Sequence, residues 1–137
     1  MKPNDLALPK LPGKKIITID DESPIRSLIR HALRHEECEI FEADNGSAGL
    51  EIIRRELPDL VVLDFVMPVM NGAETLRAIR NDPQIAHTPV LLLTGVKDAD
   101  KLQPLLQDER SDFLDKPFLV ENLRERVRKM LSMHHVA

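Results

Sequence analysis

The chain has 137 residues, 42% of them hydrophobic, which is the usual size of one compact domain. Its net charge of −4 excludes the broad positive field that holds proteins on nucleic acid or on acidic lipid. The single cysteine, Cys38, excludes an internal disulfide and a multi-cysteine zinc site, and no apolar run approaches the ~18 residues that a membrane span needs. We therefore predict a cytoplasmic protein that binds neither DNA nor membranes directly, with Cys38 as a small core residue.

The N-terminal residues 1–13 hold three prolines and a glycine without any periodic apolar pattern. This composition predicts a flexible arm ahead of the fold. We predict the folded domain over residues 14–132 and a short C-terminal tail over residues 133–137.

Beyond the arm, short apolar runs alternate with longer stretches at helical period. The runs predict strands at residues 16–19, 39–43, 60–63, 90–93 and 112–114. The third and fourth runs are apolar throughout, which is typical of strands that are buried on both faces.

Between the strands, apolar residues at helical spacing predict helices with one buried stripe. The first helix is predicted to open with Ser23 as its N-cap and Pro24 in its first turn. Further helices are predicted at residues 47–55, 73–80 and 120–131. One more is predicted within residues 98–107, where Pro104 should make it short, kinked or late to begin.

Strands that alternate with helices predict parallel pairing through right-handed crossovers. The predicted fold is therefore an open, doubly wound α/β sheet with helices on both faces. Ligands of such sheets bind outside the carboxyl ends of the strands. The residues that follow the strands are consequently the candidates for a functional site.

The predicted strand ends carry acids, a hydroxyl and an amine. Asp20 and Asp21 follow the first strand, Asp64 the third, Thr94 the fourth and Lys116 the fifth. Any one of these acids could equally be solvated or cap a helix, but neighbouring carboxylates repel by about 4 kcal/mol at the effective dielectric of a protein surface. Lys116 neutralises one charge only, so the cluster calls for a cation. An oxygen-only donor set suits Mg²⁺ or Mn²⁺ and argues against zinc.

Four segments of the sequence resemble a known family. They read IITIDDE at residues 16–22, LVVLDFVMPVMNG at 60–72, LLLTG at 91–95 and DFLDKPF at 112–118. In order and spacing, over residues 14–132, they resemble the receiver domain of two-component response regulators, in particular the stand-alone, chemotaxis-type receivers. The resemblance implies a flavodoxin-like, five-stranded parallel sheet with strand order 2-1-3-4-5. It also implies a cis peptide bond between Lys116 and Pro117.

The resemblance also implies a metal site. Asp21, Asp64 and the backbone carbonyl of Val66 are expected to bind Mg²⁺, for which Mn²⁺ can substitute. Asp20 is expected to hold a water on the metal. The cation would offset the charge on a phosphoryl group during its transfer.

For the phosphoryl group, the resemblance implies that Asp64 is the acceptor. Thr94 and Lys116 are expected to contact the phosphoryl oxygens, and Thr94 and Phe113 are expected to form the conformational switch. The chain departs from the usual family pattern at Gly95, Pro104 and residues 109–110. These positions fall on the surface that receivers use for signalling. The resemblance therefore predicts the partner-binding surface of this chain less well than it predicts the phosphorylation site.

The expected function is that of a phosphorylation-dependent switch rather than an enzyme in its own right. It would take its phosphoryl group from a histidine kinase or a phosphotransfer protein, and act through a downstream protein target or a phosphorylation-linked dimer. The chain length favours a stand-alone receiver, with a piece of a longer regulator or hybrid kinase as the alternative.

Two other functions are alternatives to this one. A degenerate receiver would act as a phosphorylation-independent binding module, and the intact acids, Thr94 and Lys116 argue against it. A phosphatase of the haloacid-dehalogenase type needs a second aspartate two residues after its nucleophile. The chain has Val66 at that position, and valine cannot transfer a proton.

Overall fold

The computed structural model describes residues 13–95 and 108–133, which form a parallel sheet with helices on both faces. The strands are β1 (Lys15–Ile19), β2 (Glu39–Ala43), β3 (Leu60–Asp64), β4 (Val90–Thr94) and β5 (Ser111–Asp115). The helices are α1 (Ser23–Ala32), α2 (Gly46–Glu56), α3 (Gly72–Asn81) and α4 (Val120–Met133). All neighbouring strands pair in parallel, in the order β2-β1-β3-β4-β5. The predicted fold and strand order are confirmed.

The sheet separates two apolar layers because successive residues of a strand point to opposite faces. On β3, Val61 and Leu63 lie in the layer that packs on α2 and α3, whereas Leu60 and Val62 lie in the layer that packs on α1 and α4. All four side chains are completely buried. This double burial explains why the third strand of the sequence is apolar throughout. Cys38, predicted as a small core residue, is only partly buried and packs against the layer of α1 and α4 from its margin.

The prediction for the start of α1 was wrong by one residue. The N-cap is Glu22, whose backbone is extended and whose side chain makes no capping hydrogen bond, and Ser23 is already helical. The backbone N–H groups of Ile25 and Arg26 both reach the carbonyl oxygen of Glu22. The N-cap lies at Glu22 because its N–H donates a hydrogen bond to Asp20 Oδ1 at 2.9 Å, which fixes the turn that leads into the helix.

Several predictions fall outside the described residues: the helix within residues 98–107, most of the arm and the last residues of the tail. They stay predictions. In the part of the chain that is described, no helix is long and apolar enough to cross a bilayer.

The amino ends of β4 and β5 are fastened by Arg80 in the last turn of α3. Its guanidinium donates to the carbonyl oxygen of Thr88 at 2.6 Å and to Ser111 Oγ at 2.8 Å, and it pairs with the carboxylate of Asp108. Asp108 also accepts from the backbone N–H of Arg110 at 2.7 Å. Burial raises the pKa of Asp108, but the hydrogen bonds from Arg110 and Arg80 outweigh it and hold that pKa below its usual range. Charge-assisted bonds therefore fix this edge of the sheet.

Candidate functional site

The carboxyl ends of β1 and β3 bring three acids together. Because the two strands are adjacent, with Ile19 paired to Leu63, Asp20 just after β1 and Asp64 at the end of β3 are neighbours. One carboxylate oxygen each from Asp20, Asp21 and Asp64 lies within 4.8 Å of the other two. Asp20 and Asp64 are buried and Asp21 is exposed, so the cluster reaches solvent on the side of Asp21. The structure thus assembles the three acids that the strand-end argument selected.

The two buried carboxyls of this cluster resist ionisation. The pKa of Asp20 is raised to about 6, chiefly by burial and also by the nearby charges of Asp64 and Asp21, which together outweigh the lowering effects of the N–H of Glu22 and the ammonium of Lys116. Burial also raises the pKa of Asp64, against the opposing hydrogen bond and charge of Lys116. The site is therefore short of positive charge, since one lysine does not compensate three acids.

Lys116 lies at the end of β5 and reaches across to the acid cluster. Its Nζ donates to Asp64 Oδ1 at 2.6 Å, and its backbone N–H donates to the carbonyl oxygen of Thr94 at 2.7 Å. The peptide bond between Lys116 and Pro117 is cis, as predicted. The lysine is thus anchored to the end of β4 and contacts the proposed phosphoacceptor directly.

The donor set fits a hard divalent cation. Asp20 Oδ1 is occupied by the N–H of Glu22, while Asp20 Oδ2 is buried and has no hydrogen-bond partner among the described residues. A buried carboxylate oxygen without a donor is costly, and a cation shared with Asp21 and Asp64 would remove that cost. Carboxylate oxygens are the ligands that Mg²⁺ and Mn²⁺ prefer.

Two residues predicted for the site, Thr94 and Phe113, make no side-chain contact with the acid cluster that the structure shows. The hydroxyl of Thr94 is buried and donates to Asp115 Oδ1 at 3.3 Å. Phe113 is half-buried against the layer of α2 and α3. Val66 lies two residues after the end of β3 and is 62% exposed, and its backbone N–H donates a hydrogen bond to the carboxylate of Asp64. The roles of Thr94, Phe113 and the Val66 carbonyl therefore stay predictions, and Asp115 is a partner that the sequence analysis did not single out.

The loop after β3 depends on Gly72, whose role the sequence analysis also left unassigned. Its N–H donates to the carbonyl oxygen of Phe65 at 2.8 Å, so the loop folds back onto the end of the strand. A Cβ at this position would lie 2.6 Å from the carbonyl oxygen of Asp64 and 2.6 Å from the Cα of Phe65. Only glycine allows this approach. Asn71 then caps α3 in a reciprocal pair with Glu74, which fixes where the loop ends.

The main chain at the end of β1 is held from both sides. The N–H of Asp20 donates to the carbonyl oxygen of Ala43 on β2 at 3.0 Å. The carbonyl oxygen of Asp20 accepts from Arg26 Nη1 at 2.5 Å. Arg26 is a third residue near the site that the sequence analysis did not single out.

A doubly wound sheet of this strand order, with an acid cluster and a lysine at its carboxyl edge, defines the flavodoxin-like receiver class. The sequence matches the family described as the response regulator receiver domain over residues 16–128. The chain belongs to this family, whose members are phosphoacceptor switches of two-component signalling and bind Mg²⁺ at an acidic pocket.

The relatives differ in how much of their own length this chain covers. The chain is 33% identical over 119 residues to the chemotaxis protein CheY of Pseudomonas aeruginosa, covering 86% of this chain and 96% of that protein. It is 33% identical over 117 residues to histidine kinase P4 of Formosa agariphila, covering 85% of this chain and 8% of the kinase.

Among solved structures, the signal receiver domain of a histidine kinase from Syntrophus aciditrophicus superposes with a TM-score of 0.81 at 25% identity, covering 91% of this chain and 95% of that one. Several curated relatives are much longer than this chain. It spans 8% of histidine kinase P4 and 12% of the sensor histidine kinase TmoS of Ectopseudomonas mendocina. It spans 52% of the phosphate regulon transcriptional regulatory protein PhoB of P. aeruginosa.

Proposed function

We propose that the chain is a signalling switch in which Asp64 accepts a phosphoryl group from a histidine kinase or a phosphotransfer protein. The observation that carries the proposal is the 2.6 Å contact between Lys116 Nζ and Asp64 Oδ1 inside a cluster of three acids. A nucleophilic carboxylate, a fixed cation beside it and oxygen ligands for a metal are the parts that phosphoryl transfer requires. Membership of the receiver family supports the same chemistry.

In the proposed reaction, a carboxylate oxygen of Asp64 attacks the phosphorus of the donor. The new bond forms between that oxygen and phosphorus while the bond from phosphorus to the donor breaks, which leaves an acyl phosphate on Asp64. Lys116 starts on Asp64 Oδ1 and ends on a phosphoryl oxygen, so its charge stays close to the developing negative charge throughout.

The metal site of the proposal consists of Asp20, Asp21, Asp64 and the backbone carbonyl of Val66. When bound there, Mg²⁺ supplies positive charge to the transferring group, and Mn²⁺ can replace it. Without a bound cation, the negative charge of these carboxylates repels the incoming anionic donor, so phosphorylation is expected to depend on the metal.

The proposed switch links this chemistry to a partner. We expect the hydroxyl of Thr94 to leave Asp115 and donate to a phosphoryl oxygen, and Phe113 to change its packing at the same time. The output is contact with a downstream protein or with a second phosphorylated copy, in the cytoplasm and without direct DNA or membrane binding. The switch resides in residues 14–132, with residues 1–13 as an arm and 133–137 as a tail.

Incubation with a small-molecule phosphodonor and Mg²⁺ tests the proposal. We expect one phosphoryl group per chain, in an acyl phosphate that hydroxylamine cleaves, and no product when EDTA removes the metal. No labelling under any condition would favour the degenerate binding module. Continued release of phosphate, many equivalents per chain, would favour the phosphatase.

The phosphoryl group on Asp64 is expected to be lost slowly. Hydrolysis needs a water held in line with phosphorus, and Val66, two residues beyond Asp64, offers that water no hydrogen bond. The resemblance places Val96, which lies outside the described residues, on the other flank. The double variant Val66→Asn with Val96→Glu should lose phosphate about tenfold faster, which corresponds to about 1.4 kcal/mol in the barrier.

Phosphoryl decay in Mg²⁺ buffer measures this effect. Val69→Asn is the matched control, since Val69 is fully exposed on the same loop and its backbone already has a positive φ of 68° that asparagine tolerates. The control should decay like the unmodified chain. Equal decay of all three proteins would show that the valines do not protect the phosphoryl group.

A further inference from the structure

Arg26 joins three elements beside the acid cluster. From α1, its Nη1 donates to the main-chain oxygen of Asp20 at 2.5 Å, and its Nε donates to Glu42 Oε1 on β2 at 3.1 Å. Its side chain is only 17% exposed, which is low for an arginine on the outer face of a small domain. A single guanidinium therefore connects the end of β1 to the edge strand and to the helix that follows the site.

Glu42 is held rigidly as the anchor of this connection. Its other oxygen accepts from Arg30 Nε at 2.5 Å, and Arg30 Nη2 donates in turn to the carbonyl oxygen of Ile40 at 3.1 Å. The hydrogen bond from Arg30, joined by that from Arg26, holds the pKa of Glu42 below its usual range against the opposing effect of burial. Glu42 is thus ionised at neutral pH and fixes one side of the Arg26 guanidinium.

The contact with Arg26 completes the support of Asp20. The N–H of Asp20 is bound to Ala43, its main-chain oxygen to Arg26 and its Oδ1 to the N–H of Glu22. Oδ2 is the one polar atom of Asp20 that is left without a partner among the described residues, and it is buried in the acid cluster. The support therefore directs a single carboxylate oxygen towards the place where a cation would bind.

We propose that Arg26 is a positioning residue, which orients Asp20 and the adjoining Asp21 for Mg²⁺; this inference rests on the proposed function. Arg26 acts through the main chain, because its hydrogen bonds go to the main-chain oxygen of Asp20 and to Glu42, and none that the structure shows goes to the carboxylate of Asp20 or Asp21. Mg²⁺ demands nearly ideal octahedral geometry, so a small displacement of its ligands weakens binding. Outer residues that orient ligands affect metal affinity for this reason.

Direct titration with Mg²⁺, followed by the amide signals of Asp20 and Asp21 in NMR spectra, tests the role of Arg26. Arg26→Met should weaken Mg²⁺ binding by about tenfold. Arg30→Met is the matched control, because Arg30 shares Glu42 but does not touch Asp20; it should weaken Mg²⁺ binding far less than Arg26→Met does. Glu42→Gln keeps the guanidinium but removes its ionic anchor, and should weaken binding by less than Arg26→Met does.

A second readout separates positioning from loss of structure. With limiting Mg²⁺, Arg26→Met should be phosphorylated more slowly than the control, and saturating Mg²⁺ should restore the rate. A damaged fold would lower the rate at every Mg²⁺ concentration. Circular dichroism checks that the variants are folded. If Arg26→Met does not fold, the Mg²⁺ affinity of folded Glu42→Gln provides the test instead. Full Mg²⁺ affinity of Glu42→Gln would then overturn the inference.

Equal Mg²⁺ affinity of Arg26→Met and Arg30→Met, whether both are weakened or both are unchanged, also overturns the inference. Failure of the proposed function gives a different result, since the unmodified chain would then neither bind Mg²⁺ nor accept a phosphoryl group. A chain that does both while the Arg26 variants behave normally contradicts the role of Arg26 alone.

Discussion

Asp64→Asn is expected to abolish phosphorylation completely. The amide that replaces the carboxylate is uncharged and is not a nucleophile towards phosphorus at neutral pH. The substitution also removes the ion pair between Lys116 Nζ and Asp64 Oδ1, which lie 2.6 Å apart. Mass spectrometry of the intact protein after incubation with phosphodonor and Mg²⁺ measures the result.

Asp82→Asn is the control for this experiment. Asp82 follows α3 and pairs with Arg54 at 2.9 Å, at the end of the fold opposite to the acid cluster. The control should take one phosphoryl group as the unmodified chain does. Undiminished labelling of Asp64→Asn would show that another residue is the acceptor.

Gly72→Ala is expected to damage both the fold and the site. The added Cβ would come within 2.6 Å of two backbone atoms, the carbonyl oxygen of Asp64 and the Cα of Phe65, and backbone does not yield as a flexible side chain does. Overpacking of this kind costs about 1–3 kcal/mol in the free energy of unfolding. Relief of the clash displaces Asp64 as well, so the rate of phosphorylation should fall further than the loss of folded protein explains.

Urea unfolding and the initial rate of phosphorylation of the folded variant measure the two effects. Gly49→Ala provides the comparison, because the nearest atoms that its Cβ would meet belong to the side chain of Ile19 and not to backbone. That variant should lose some stability and keep its phosphorylation rate. A Gly72→Ala protein with normal stability and a normal rate would contradict the close approach of the loop to β3.

The fold was predictable because its periodic signals agree with one another. The double burial of β3 follows from an uninterrupted apolar run, and the parallel order follows from alternating strands and helices. The core of the site was predictable for a related reason. Asp20, Asp64 and Lys116 lie at or directly after the carboxyl ends of strands that end at one edge of a parallel sheet, so their proximity could be predicted without knowledge of loop structure.

The contacts that were missed depend on register and on loop geometry. Arg26 and Glu42 are 16 residues apart and meet only because α1 packs against a particular residue of β2. The bond from Thr94 to Asp115 requires the exact alignment of β4 with β5. The prediction of Ser23 as the N-cap failed for the same reason. The N–H of Glu22 donates a hydrogen bond to Asp20 Oδ1, and this contact, which outweighs the preference of serine for N-cap positions, makes Glu22 the N-cap. Local sequence patterns carry no record of such pairings.

The Arg80 cluster at the amino edge of the sheet implies that the two ends of the fold should respond differently to substitution. At that edge, partly buried charges are matched by hydrogen bonds, so the removal of one partner is expected to lower the free energy of unfolding. At the opposite edge, the acids are crowded and two of them resist ionisation, so the replacement of one acid by a neutral residue is expected to cost little stability or to raise it. A variant selected for stability alone would therefore keep the Arg80 cluster and tend to lose the acids.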